Sequence, residues 1–291
     1  MSAIHTNRGD ISLPTDVSKE IIQKTQEASA VMRLAEFEDL PGRGLTIPMI
    51  TSDPEPEWVG ETENKPVSSP GIGTKVMQGY TLSVIVPFSN QFKRDMPRLY
   101  DALVARLPKV LGKKFDNTVF GGTQAPGDKF DTFANVTAHS ISSNAYDALV
   151  DLDTQVSMAG GINSGFVLSP QAKGLLLKAK DDEGRPLFIN SVSENAIPYI
   201  LSTPTLMSKG AYVAGSPNVV GFGGDWTQAK YGIVEDVSID ISTEASLTLD
   251  DGSVINLFQK NMFAVRAEIE CGFVADTSVF GKLTASTVPS F

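Results

Sequence analysis

The chain has 291 residues, 41% hydrophobic and 20% charged, with a formal net charge of −10. That is the balance of an average globular protein, enough for one large or two modest domains, and its acidity excludes a chain-wide electrostatic grip on nucleic acid. A single cysteine, Cys271, excludes an intrachain disulfide, and the longest apolar run, TLSVIVPF at 81–88, is far short of a membrane span.

Residues 1–15 are polar and turn-rich and read as an extended arm, without the apolar stretch of a signal peptide. In 16–35 the spacing of Val17, Ile21, Ile22, Ala28, Val31, Met32 and Leu34 predicts a short helix capped by Asp16 or Ser18. RGLTIPMI (43–50) reads as a strand. The stretch that follows, through ETENKPVSSPGIG, is too long and irregular for an idle loop inside a domain. KVMQGYTLSVIVPFS (75–89), rich in β-branched and aromatic residues, reads as the returning strand. Together they predict a two-stranded ribbon, which is marginal alone in water and therefore needs a partner surface.

In 89–122, Leu99, Leu103, Leu107, Leu111, Phe115 and Val119 recur every four residues and predict one long amphipathic helix. Pro97 suits its first turn, Pro108 should kink it, and Gly121–Gly122 should stop it. The basic pairs Lys93–Arg94 and Lys113–Lys114 read as solvated faces of that helix. A second helix fits 142–161, opened by Ser142 or Ser143 and closed by Gly160–Gly161. GFVLSP (165–170) predicts a buried strand running into a third helix, which Ser169–Pro170 open and the turn DDEGRPLF (181–188) ends. Short strands are expected through 199–241, including 211–215 and 219–226. Strands at 237–243 and 261–276 follow. In the latter Phe263, Val265, Ala267, Ile269, Cys271 and Phe273 share one face, and Arg266, Glu268 and Glu270 the other.

Catalytic chemistry finds no constellation. His5 and His139 stand far apart without neighbouring ligand types, so neither zinc nor a Ser–His–Asp arrangement is indicated. GIGTK (71–75) lacks the spacing of a phosphate loop, and GFGGD (221–225) lacks that of a dinucleotide fingerprint and reads as a turn needing positive φ. Asp250–Asp251–Gly252 reads as a hairpin turn and not a calcium loop, and Cys271 as an inert core thiol. No cofactor or metal is expected.

The order of these parts resembles the Hong Kong 97-type tailed-bacteriophage major capsid proteins. VPFSNQFKRDMP (86–97) is similar to the family's strand-to-spine-helix junction, where a serine opens the helix. GFVLSPQAKGLLLKAKDDEGRPLF (165–188) is similar to its strand–helix–turn run, and FQKNMFAVRAEIECGF (258–273) to its C-terminal strand. The resemblance implies an α+β fold with an N-terminal arm and short helix (1–35) and an extended ribbon loop (43–86). It further implies a discontinuous peripheral domain (36–42, 87–124 and 246–291) and an axial domain (125–245). It implies hexamers and pentamers closing an icosahedral shell around double-stranded DNA, without sequence-specific binding or a membrane. A separate scaffolding protein or none, a portal and possible decoration proteins are the implied partners, with assembly in the host bacterial cytoplasm.

On that reading the ribbon lies across a neighbouring subunit, with Trp58, Glu61, Lys65 and Lys75 at the contact. The plainer alternative packs Trp58 on its own chain. In part of the family a lysine, an asparagine and a glutamate join subunits by isopeptide bonds. By resemblance Asn261 and Glu268 match two of these, and Lys75 falls within about one residue of the third. That chemistry needs a neutral Lys75 amine attacking the Asn261 carboxamide while Glu268 takes the proton. On one regular strand residues 261 and 268 face opposite ways, so they would serve groups from different chains. The plainer reading starts the strand at Asn261 and pairs Glu268 with Arg266, Arg33 or another cation, and no catalysis is expected. Two other classes stay open. One is an encapsulin-type nanocompartment shell; the other is a monomeric hydrolase or binding protein with a formed pocket.

Overall fold

The computed structural model describes residues 29–52, 54–61, 64–180, 184, 185, 187, 199–249 and 251–287. Most of the expected 16–35 helix, the turn after the third helix, and the arm lie outside these residues. Ala30–Leu34 is helical, and its cap is Ser29, whose Oγ accepts from the Met32 N–H at 3.1 Å. The described chain forms two units, one of 29–33, 81–115 and 235–270, the other of 34–80, 116–234 and 271–287.

The second unit is organised by a six-stranded mixed sheet. Its order is Thr137–Ser140, Phe280–Ala285, Asn218–Gly224, Gly165–Leu168, Thr203–Met207, Tyr199–Ile200. The helix Ala145–Met158 packs against it. Asn144 caps that helix, its Oδ1 accepting from the N–H groups of Tyr146 and Asp147 at 3.1 and 3.3 Å. The expected caps, Ser142 and Ser143, fall two residues and one residue before the actual cap, Asn144. At the other end Gly160 takes φ +84, and the Gly161 N–H returns to the Val156 carbonyl at 3.0 Å. Ser169 caps the helix Pro170–Lys178 with Pro170 in its first turn, as the sequence indicates.

The interior of this unit is aromatic. Phe133 stacks on Phe280 at 4.4 Å between centroids, Phe120 on Phe222 at 4.6 Å, and Trp226 meets Phe133 and Phe280 edge-on. GFGGD is the end of a strand here, not a turn. A Cβ at Gly223 would run into the ring of Phe166 and into Leu152, so the glycines make room for rings from neighbouring elements. Residues 211–215 are not a strand either. They hold the end of a 3-10 turn, Lys209–Ala211, and one isolated pairing of Val213 with Val219.

A four-stranded sheet runs in the order Glu36–Asp39, Ala229–Ser242, Met262–Ala275, Tyr80–Ser89. In Met262–Ala275 the expected alternation holds: Val265, Ala267, Ile269 and Cys271 are buried, while Arg266 is exposed and Glu268 and Glu270 are partly so. Glu36–Asp39 lies parallel to Lys230–Ile233, and the Lys230 ammonium bridges Glu38 and Glu36. The hairpin Ser246–Thr248/Val254–Asn256 turns at Gly252, φ +81, with Asp251 Oδ1 accepting from Ser253.

The expected single helix over 89–122 is three helices, Asn90–Asp95, Pro97–Val104 and Leu107–Val119. Ser89 opens the first, accepting from the Phe92 N–H at 3.0 Å. Each later segment begins at or one residue before a proline. Proline offers no N–H to the preceding turn and drives the residue before it out of helical geometry, as at Met96 with φ −133 and ψ 56. Gly121, φ +79, stops the third, with the Gly122 N–H on the Asn117 carbonyl at 2.8 Å. Phe88 and Phe263 stack at 5.7 Å, Tyr100 meets both edge-on, and the Lys93 ammonium lies 5.1 Å above the Tyr100 ring.

Candidate functional site

The ribbon is the part of the molecule with an unmet need. Leu45–Ser52 and Gly71–Met77 pair antiparallel from Leu45↔Met77 to Ser52↔Gly71, and no third strand joins them among the described residues. Residues 75–89 are therefore two strands, separated at Gln78–Gly79. Prolines at 54, 56, 66 and 70 remove backbone donors and end the ladder, so the tip cannot continue as strand. Every described residue of the tip is exposed. Trp58 is fully so, at 103% of its reference area, and Val67 reaches 96%. Glu61 and Lys65 also stand in solvent. Trp58 is thus not packed on its own chain, which leaves a large apolar side chain in water.

The root of the ribbon is the opposite case. Met77 is fully buried with Leu40 and Val274, and Leu45, Ile47 and Val234 pack on them. Gly44 takes φ +87, and its N–H closes a turn on the Pro41 carbonyl at 2.8 Å. Lys75 shares a strand face with Met77, and its Nζ donates to Asp131 Oδ2 at 2.8 Å and to the Ala275 carbonyl at 2.7 Å. The same Asp131 oxygen accepts from the Ala275 N–H at 3.0 Å. One carboxylate thus ties the ribbon to the end of the long C-terminal strand. Sequence reasoning singled out Lys75 and missed Asp131, which lies 56 positions away with no local signal.

Asn261 and Glu268 belong to the other unit. Asn261 takes φ +54 in the turn before the strand, which begins at Met262. The parity argument that placed residues 261 and 268 on opposite faces therefore loses its premise. Asn261 is held to Asn90: its Oδ1 accepts from Asn90 Nδ2 at 2.8 Å and its carbonyl from the Asn90 N–H at 3.2 Å. Glu268 pairs with Arg266 at 3.1 Å, and Arg266 also donates to Asp240 at 2.7 Å. The Asp240 hydrogen bond, with the charges of Glu268, Asp240 and Glu235, holds the guanidinium above its ordinary value against a smaller effect of burial.

His139 shares a 2.7 Å hydrogen bond with Gln155 Oε1 and serves the join between strand and helix. Among the described residues no group of His, Cys, Asp and Glu is arranged to hold a metal, and no helix is long and apolar enough to cross a membrane.

Comparison with known proteins bears on this geometry. Residues 9–278 match the model of the phage capsid family. The chain is 30% identical to the probable major capsid protein of Mycobacterium phage L5, over 94% of this chain and 89% of that protein. It is 24% identical to the major capsid protein of Staphylococcus phage 80alpha, over 94% of this chain and 85% of that one. Among solved structures a chain of Gordonia phage Cozz superposes with a TM-score of 0.76 at 19% identity, covering 89% of this chain and 87% of that one. A chain from the capsid of an empty GTA particle, computed with C5 symmetry, reaches 0.66 at 17% identity, covering 89% and 90%.

Proposed function

The chain belongs to the phage capsid family, and on that premise we propose that the ribbon is the element through which one copy holds the next. The protein is a structural major capsid subunit whose copies form the shell of a virion. The observation that carries the ribbon reading is Trp58, fully exposed at the tip of a hairpin whose root is locked in place. A two-stranded ribbon gains stability only by packing on something, and in a homo-oligomeric shell the surface always at hand is another copy. Trp58 is then the anchor, with Glu61 and Lys65 at the rim of the contact.

The finer arrangement follows from the same premise. Copies group as hexamers and pentamers, joined with curvature into an icosahedral shell that encloses double-stranded DNA. The division into a peripheral domain (36–42, 87–124, 246–291) and an axial domain (125–245) directs the second toward the capsomer centre. Scaffolding, portal and decoration proteins are supplied as separate chains, and assembly takes place in the host cytoplasm. Lys75 acts as the ribbon's anchor and not as a nucleophile, because its amine is already engaged by Asp131 and Ala275.

Sedimentation velocity on the purified chain, with negative-stain imaging of the fast fraction, tests this. Capsomers, tubes or shells are the expected result. A compact monomer at all concentrations, with residues 51–75 resistant to protease, would overturn it. Shells boiled in detergent should run as single chains; a ladder that Lys75→Arg abolishes would reinstate the isopeptide bond.

A further inference from the structure

The strand Phe280–Ala285 delivers the chain to the wall of a groove, and its exit is held on both sides. On one side the Ile141 N–H donates to the Thr284 carbonyl at 2.9 Å and the Ser286 N–H to Ser142 Oγ at 2.9 Å, while the Ser142 and Ser286 hydroxyls meet at 3.0 Å. On the other, Asn218 Nδ2 donates to the Ala285 carbonyl at 3.5 Å. The next residue, Thr287, lines a groove of about 510 Å³. That volume is of the size that takes a drug-sized ligand. Ile141, Tyr146, Leu175 and Leu187 give the groove apolar walls, and no acidic side chain lines it. Tyr146 and Leu187 are 48% and 44% exposed, so the groove is open among the described residues.

We propose that the next four residues, Val288, Pro289, Ser290 and Phe291, which lie outside the described residues, dock in this groove of their own subunit. Val288 and Phe291 then cover Tyr146, Leu175 and Leu187. Three features point to them. The point of departure is fixed: Ser286 is tied to Ser142, Thr287 already lies in the wall, and four residues at about 3.3 Å each reach roughly 13 Å further, enough to cross a groove of that volume. The chemistry matches, because the segment carries no charged side chain and three of its four residues are apolar. Pro289 sets the manner of docking. It keeps Val288 extended and has no N–H, so the segment is unfit to add to the edge strand Thr137–Ser140 and binds through its side chains. A segment tethered at the groove wall acts at an effective concentration on the order of millimolar, which favours it over a separate copy in the unassembled subunit. Docked in this way, the tail latches the end of the strand to the first turn of Ala145–Met158 and to the helix Pro170–Lys178. The contact lies within one subunit and does not depend on how copies assemble.

Thiol labelling of the full chain, at concentrations where it is unassembled, tests this. Tyr146→Cys and Leu187→Cys each put a thiol on a groove wall at a position exposed enough to accept the exchange, while Cys271 is buried and labels slowly. With the tail present both thiols are expected to react slowly with a maleimide. Deleting residues 288–291 should speed the reaction about fivefold or more. Phe291→Ala, which leaves the chain length intact, carries the same expectation should the shortened chain not fold. In a second probe, Leu175→Cys together with Phe291→Cys should form a disulfide within one chain on oxidation, and neither substitution alone should. Labelling rates that both the deletion and Phe291→Ala leave unchanged overturn the proposal. Protection that appears only on assembly, or a disulfide that joins two chains, gives the groove to a second copy and overturns it as well.

Discussion

The chain has two tryptophans, and they live opposite lives. Trp226 is 1% exposed, its Nε1–H donating to the Gly165 carbonyl at 2.9 Å and its ring edge-on to Phe133 and Phe280. Trp58 stands wholly in solvent. The first belongs to an interior completed by its own chain. On the proposed reading the second belongs to a surface that assembly completes. The difference shows that residue type alone does not reveal whether an apolar side chain is used inside the fold or left on its surface.

Mutating both residues the same way gives the sharpest contrast. Trp226→Ala should cost the subunit about 3–5 kcal/mol, by loss of burial and an unfilled cavity, as read by chemical denaturation of the unassembled chain. Trp58→Ala should leave that stability within about 0.5 kcal/mol and yet impair assembly about tenfold or more in sedimentation. If Trp58→Ala unfolds the subunit, the comparison fails.

Removing the anchor under the ribbon comes next in size. Lys75→Met or Asp131→Asn should cost about 1 kcal/mol, a figure already reduced because Lys75 is about a third exposed. The clearer readout is local. Protease cutting within residues 45–77 should rise severalfold in either variant, with cutting elsewhere unchanged.

The smallest effect concerns pH. The hydrogen bond to Glu38, with the charges of Glu38 and Glu36, outweighs burial and raises Lys230 above the usual lysine value of 10.5. A raised folded value means the stabilisation is fully present below 10.5 and is lost as pH climbs through and beyond it. Melting temperature should therefore fall more steeply above that pH in the parent chain than in Lys230→Met. Equal slopes would show that the bridge contributes nothing measurable.

Several features were legible in the sequence because their causes lie within a turn or two of the chain. Ser89 and Ser169 cap the helices they precede, and Gly121 and Gly160 stop the helices they follow. The alternation from Val265 to Cys271 sorts buried from exposed or part-exposed residues one by one. The ribbon was legible from β-branched runs flanking a tip too rich in proline to pair.

Other features were decided only in three dimensions. The glycines of Asn218–Gly224 looked like a turn because a glycine's local signal is permissiveness; the rings of Phe166 and Phe280 that require them come from distant segments. The long helix was read as one because its four-residue spacing from Leu99 runs unbroken across Pro108, yet packing buries only the part of that row from Leu107 onward. Phe280–Ala285 lies beside Thr137–Ser140 and Asn218–Gly224, a closure that no local pattern announces. Sequence alone determined where Ser89 and Ser169 open helices and where Gly121 and Gly160 close them, since capping and glycine stops act through neighbouring residues. Tertiary structure alone decided that Asp131 receives Lys75 and that Trp58 has nothing to receive it, because those facts depend on which surfaces the folded chain brings together.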